Sequence, residues 1–172
     1  MLQCWHEKGE SMDVIEKLIA GHREVRERED FARKLFAAID NEAFFWDNAL
    51  QVEGFFAKEI KEHFEIEEQV LFPLLHKILP QDKLAALDGI EKEHAPIMAR
   101  FAEFEQIVKQ HTRFPSKSTR EYFVKVCGEM LELVSAHAHR EDRELFSLLR
   151  SVFGSAHYKE LEEAYFAYIE KK

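Results

Sequence analysis

The sequence predicts an all-α protein, an up-down-up-down four-helix bundle with a short fifth C-terminal helix. Three observations predict it. Apolar residues recur at three- and four-residue intervals in four long runs, and no period-2 alternation marks a strand. Turn formers are scarce, with 6 Gly and 4 Pro in 172 residues that are 46% hydrophobic and 33% charged, a composition suited to helices around one core. The connections between runs are short, which makes successive helices antiparallel neighbours.

Ser11 is the expected N-cap of the first helix, in which Ile15, Leu18, Ile19, Val25, Leu35 and Ile39 recur at helical spacing. Asp40-Asn41 breaks the pattern. A second helix runs from about Ala43 to Leu79 and stops at Pro80, with Pro73 expected to kink its last turns. The third starts near Asp82, hesitates at Gly89, contains Pro96 and reaches about His111. Phe114-Pro115-Ser116-Lys117 reads as a linker, and Ser118 with Glu121 as a capping box opening the fourth helix, which ends near Gly154. A fifth helix covers about Ala156 to Lys171. The organisation is thus an N-terminal arm over 1–10, a bundle over 11–153 and a C-terminal helix over 154–172.

Composition also excludes functions. A formal charge of −9 offers no basic stripe to replace phosphate counterions, so no nucleic-acid partner is expected. No apolar run approaches the length that crosses a bilayer, so no membrane partner is expected. The N-terminus lacks a basic segment followed by an apolar one, which leaves a cytoplasmic location as the expectation. Cys4 and Cys127 form no C-x-x-C pair and suit a reducing compartment.

The nine histidines carry the chemistry. The stretch from His63 to Leu75 aligns without gaps on that from His137 to Leu149, both reading H-x-x-x-E-acid-x-x-L-F-x-L-L. Upstream, His22 precedes His63 by 41 residues and His94 precedes His137 by 43. Two helical hairpins therefore each supply one His and then one His-x-x-x-Glu. Positions i and i+4 differ by only about 40° around a helix, so His63 and Glu67 share a face, as do His137 and Glu141. Ile60, Val70 and Leu74 lie on the same stripe as the first pair, and Met130, Leu133 and Leu148 on that of the second, so both pairs point inward. Buried carboxylates facing each other repel unless a cation lies between them. Four imidazoles with two carboxylates suit iron or manganese better than calcium or structural zinc. The candidate metal ligands are His22, His63, Glu67, His94, His137 and Glu141, and ligating imidazoles need acceptors for their outer nitrogens.

This order and spacing, with Leu71-Phe72-Pro73 after the first pair, resembles the hemerythrin-like (HHE cation-binding) domain family over roughly residues 11 to 153. The resemblance implies a four-helix bundle holding two iron ions with an oxo or hydroxo bridge. It further implies that Glu67 and Glu141 bridge the irons and that each iron takes two histidines. Oxygen-carrying members have a fifth histidine where this chain has Met98, which favours sensing or detoxification over bulk transport. The subfamily that repairs iron–sulfur centres carries an extra cysteine-bearing N-terminal domain, and Cys4-Trp5-His6 is too short to replace it. Cytoplasmic binding of oxygen, nitric oxide or a related small oxidant such as peroxide is the expected function. An iron-storage or iron-sensing module and a di-iron oxidoreductase are the alternatives.

Further residues carry narrower expectations. Helical register places Met98 against Leu133 and Arg26 against Glu59, the latter as an ion pair beside the metals or with Glu59 as a further ligand. His76 and His139 fall on outward faces, and His6, His111 and His157 sit near ends. Glu144 returns to the inward stripe, where it either reaches solvent or contacts a ligand. Leu161, Ala164, Tyr165 and Tyr168 form an apolar stripe on the fifth helix that either caps its own bundle or makes a homodimer.

Overall fold

A computed structural model describes residues 14–113 and 116–172. The N-terminal arm with Cys4-Trp5-His6, the Ser11 cap, the Phe114-Pro115 start of the linker and the side chain of His111 lie outside the described residues. Among these the chain forms five helices and no strand. Helix α1 is Val14–Ala37, α2 covers 42–78, α3 is Gln81–Arg113, α4 covers 117–152 and α5 is Ser155–Ile169.

The caps explain the boundaries. Asn41 opens α2 by accepting from the Phe44 amide at 3.3 Å. The cap of α4 is Ser116 rather than Ser118: its backbone is extended and its hydroxyl accepts from the Thr119 amide at 3.1 Å, leaving Ser118 inside the first turn. Gly154 precedes α5 and donates its amide to His157 Nδ1 at 3.2 Å, which gives that histidine a structural role. Helix α3 runs unbroken through Gly89 and Pro96.

Three π-helical turns interrupt α2 and α4, at Phe56–Ile60, Glu67–Leu71 and Glu141–Leu145. The last two begin at Glu67 and Glu141, which align in the repeat. Pro73 falls in the first turn of the α-helical stretch after one of them, where its missing N–H is tolerated. It does not cause the wide turn, because the second copy has the same turn with Ser147 at the proline position.

Side-chain pairs trace the packing around the core. Lys17 meets Glu62 at 2.9 Å between α1 and α2, and Lys61 meets Glu105 at 3.1 Å between α2 and α3. Arg100 meets Glu129 at 3.3 Å between α3 and α4, and Arg26 meets Asp142 at 3.1 Å between α1 and α4. Such exposed pairs add about 0–1 kcal/mol each; burial holds the helices together. One apolar cluster gathers Val25, Phe45, Phe56, Phe104, Phe123 and Met130 with their neighbours. Another gathers Leu18, Leu71, Phe72, Leu87, Phe146 and Leu149. Arg120, buried, ties the α1–α2 turn to α4 through the Ile39 carbonyl at 2.9 Å and Glu42 at 3.1 Å.

The stripe on α5 covers the protein's own core. Leu161 and Tyr168 are buried there, with Ala164 and Tyr165 packed against the same cluster. The Tyr168 hydroxyl donates to Glu65 at 2.8 Å, and Lys77 meets Glu160 at 2.6 Å. Phe166 and Ile169 remain exposed.

Candidate metal centre

The buried polar residues among those described are His22, His63, Glu67, His94, His137 and Glu141, together with Arg120. The first six are the residues singled out by the repeat, and the fold brings all of them together. They form two groups that share the carboxylates: His22, His63, Glu67 and Glu141, and Glu67, His94, His137 and Glu141. Within each group the potential ligand atoms lie within 4.8 Å of one another.

Each carboxylate faces both histidine pairs. Glu67 presents Oε1 to His63 Nε2 at 3.1 Å and Oε2 to His94 Nε2 at 3.3 Å. Glu141 presents Oε2 to His22 Nε2 at 3.0 Å and Oε1 to His137 Nε2 at 3.3 Å. His22 Nε2 and His63 Nε2 also approach to 3.2 Å. These separations fall within ion-pair range, yet both oxygens of Glu67, both of Glu141, and Nε2 of His94 and His137 are buried without a well-formed hydrogen bond. Such a cluster is costly unless a cation completes it. Its imidazole and carboxylate donors suit iron, manganese or zinc. The residues therefore fit a pair of metal ions.

Electrostatics agree with this. Burial pushes the His63 imidazole down, but Glu67 and Glu141 outweigh it and carry it up to about 10. Burial likewise lowers His94, and Glu67 and Glu68 reverse the shift upward. Burial raises Glu67, but His63 and His94 hold it well below the usual carboxylate range.

The outer ring nitrogens meet acids on neighbouring helices. His22 Nδ1 lies 2.8 Å from Asp142, and His94 Nδ1 lies 2.8 Å from Glu68. These two are the acid of the repeated motif, one residue beyond each inward glutamate, at the start of the wide turn. The motif displayed them without revealing which ring each would hold. Glu93 Oε2 lies 3.0 Å from His137 Nδ1; its only sequence signal is its place beside His94. Phe64 stacks on the His94 ring at 3.9 Å between centroids.

Several expectations fail on helical register. Arg26 pairs with Asp142, and Glu59 with Lys58 at 2.7 Å, so they form no pair beside the centre and Glu59 is no candidate ligand. Leu133 is 38% exposed, while Met98, partly buried, packs at the edge of the core. The inward residues are one position nearer each histidine: Val25, Ile60, Ile97 and Val134, all buried. The layer is wholly apolar. Glu144 reaches solvent, held by Arg140 at 3.2 Å and Arg143 at 2.6 Å, whereas its counterpart Val70 is buried in the equivalent wide turn.

The remaining groups are ordinary. His76 meets Glu91 at 3.1 Å near Asp88 in an exposed cluster, an arrangement common without an ion. Cys127 is buried, which pushes its thiol up to about 12 and leaves it unreactive.

The helical fold and this buried cluster of histidines and glutamates define a cation-binding bundle. The chain belongs to the hemerythrin HHE cation binding domain family, whose sequence profile matches residues 13–149. Comparison with curated proteins and with solved structures gives no match. No helix among the described residues is long and apolar enough to cross a membrane.

Proposed function

We propose that this is a cytoplasmic di-iron protein that binds oxygen, nitric oxide or a related small oxidant, for sensing or detoxification. In this reading residues 11–153 form an up-down-up-down four-helix bundle, flanked by an arm over 1–10 and a C-terminal helix over 154–172. His22 and His63 hold one iron, His94 and His137 the other, and Glu67 and Glu141 span both. The observation that carries it is the way each carboxylate divides its two oxygens between the histidine pairs.

Iron, when bound, supplies redox chemistry towards small oxidants. The chain's own residues decide what reaches it. Val25, Ile60 and Val134 wall a cavity of about 10 Å³ against His22, His63 and His137, close to the space one water-sized molecule occupies. That size supports a diatomic or peroxide ligand. The apolar wall also limits bulk water at the centre. Asp142, Glu68 and Glu93 orient the rings and raise their basicity.

An iron-storage or iron-sensing module is the second reading, favoured by the larger cavity that reaches His63 from solvent. A di-iron oxidoreductase is the third. Protein purified from iron-replete cells should contain two iron ions per chain and show ligand-to-metal absorption. Stopped-flow mixing of the reduced protein with oxygen should give a reversible adduct. Turnover would support the enzyme, and rapid loss of iron on reduction would support storage. Absence of bound iron would overturn the proposal.

A further inference from the structure

The two halves of the repeat place their ring acceptors differently. His63 and His137 are equivalent in the alignment, as are His22 and His94, so the residues just before the latter pair, Gly21 and Glu93, are equivalent too. Glu93 accepts from His137 Nδ1 at 3.0 Å and is itself held by Arg140. Gly89 makes room for that clamp, because a Cβ there would lie 3.0 Å from the Arg140 guanidinium. In the other half Gly21 replaces Glu93, Ile66 replaces Arg140 and Lys17 replaces Gly89. Among the described residues His63 Nδ1 makes no hydrogen bond to a carboxylate, and Glu24, Glu59 and Glu62 line the space beside it.

A cavity of about 230 Å³ lies there instead, with Lys17, Gly21, Glu59, His63 and Ile66 in its walls. Gly21 is required at this place, since a Cβ would come within 2.9 Å of His63 Nδ1. The His63 ring is 9% exposed and the His137 ring 2%. Among the described residues, three rings therefore have a carboxylate behind them, and the fourth, still buried, has this cavity.

Resting on the proposed di-metal reading, we infer that the two metal positions are unequal. The His22–His63 position is the weaker and more exchangeable, and Glu93 is the positioning residue that makes the His94–His137 position the tighter. Loss of a carboxylate behind a ligating imidazole typically costs about 10–100-fold in metal affinity. The Gly21 cavity adds a solvent path to the ring that lacks one.

Anaerobic titration of the metal-free protein with iron(II), in competition with a chromophoric chelator, tests this. Two equivalents should bind, one about 10–100-fold more tightly than the other. Glu93→Gln should weaken the tight equivalent by a similar factor and bring the two together, with Glu93→Asp restoring part of the difference. Gly21→Ala should weaken only the loose equivalent, by displacing the His63 ring. Melting of each metal-free variant separates these effects from loss of fold, since Glu93→Gln should melt close to wild type. Two equivalents of equal affinity, or a Glu93→Gln variant with unchanged binding, would overturn the inference and leave the di-metal reading intact. Fewer than two equivalents in the wild type would overturn both.

Discussion

Asp142 on α4 reaches His22 on α1, its carboxylate 2.8 Å from Nδ1 and 120 residues away in sequence. The same carboxylate meets Arg26 at 3.1 Å, so the aspartate both fixes a ring and is fixed at the surface. Asp142→Asn should lower metal affinity by about 10–100-fold, as removal of such partners generally does. Arg26→Ala should have a much smaller effect, because Arg26 is half-exposed. Chelator competition on both variants checks this, and equal affinities for wild type and Asp142→Asn would contradict it.

The dual facing of Glu67 and Glu141 makes each necessary to both positions. Glu67→Gln or Glu141→Gln should reduce bound iron below two per chain, measured by elemental analysis against protein concentration. Full occupancy in either variant would exclude a bridging role for that residue.

The metal-free protein should lose stability as pH rises. His63 is raised from 6.5 to about 10 in the fold, burial opposing the shift and Glu67 and Glu141 driving it. Its contribution is therefore fully present below about 6.5, the ordinary histidine value, and is lost as pH rises towards 10. Melting temperatures of chelator-treated protein should fall across that window. Metal loading near neutral pH should also release protons, detectable with a pH indicator, because the ligating nitrogens must be deprotonated. A flat melting profile over the same range would argue against the charged His63 pair.

The apolar layer of Val25, Ile60, Ile97 and Val134 should behave as core. Ile97→Ala is expected to cost about 2–5 kcal/mol, and the partly exposed neighbour Met98 should cost less when truncated. Urea unfolding of the two variants makes the comparison. A larger cost at Met98 would mean that the helix presents the other residue inward.

Removal of residues 155–172 should destabilise the protein. Leu161 and Tyr168 leave the core cluster, and fully burying an apolar side chain the size of Leu contributes about 1.5–3 kcal/mol. Calorimetry should show a lower melting temperature. Light scattering of the intact chain tests the homodimer, since Phe166 and Ile169 are the large apolar residues of α5 that stay exposed. A dimeric mass in the intact chain that falls to monomer on truncation would establish α5 as an interface.

The sequence by itself determined the helices, the inward direction of His63, Glu67, His137 and Glu141, and the membership of His22 and His94 in the same set. Helical periodicity is local, and the gapless repeat converts it into a symmetric pair of hairpins. Neighbours one turn from a ligand were harder to assign. Register four residues away selected Arg26, Glu59, Met98 and Leu133, whereas the packed helices turn Val25, Ile60, Ile97 and Val134 inward. A shift of one position changes the helix face by about 100°, and the crossing of packed helices decides which position wins. The wide turns at Glu67 and Glu141 leave no signature in apolar spacing, and that spacing did not decide whether Glu144 reaches solvent or a ligand. Only the tertiary structure assigned Asp142 to His22, Glu68 to His94 and Glu93 to His137, and left Gly21 beside His63. Those partners sit on different helices, and the distance between helices is not written in either one.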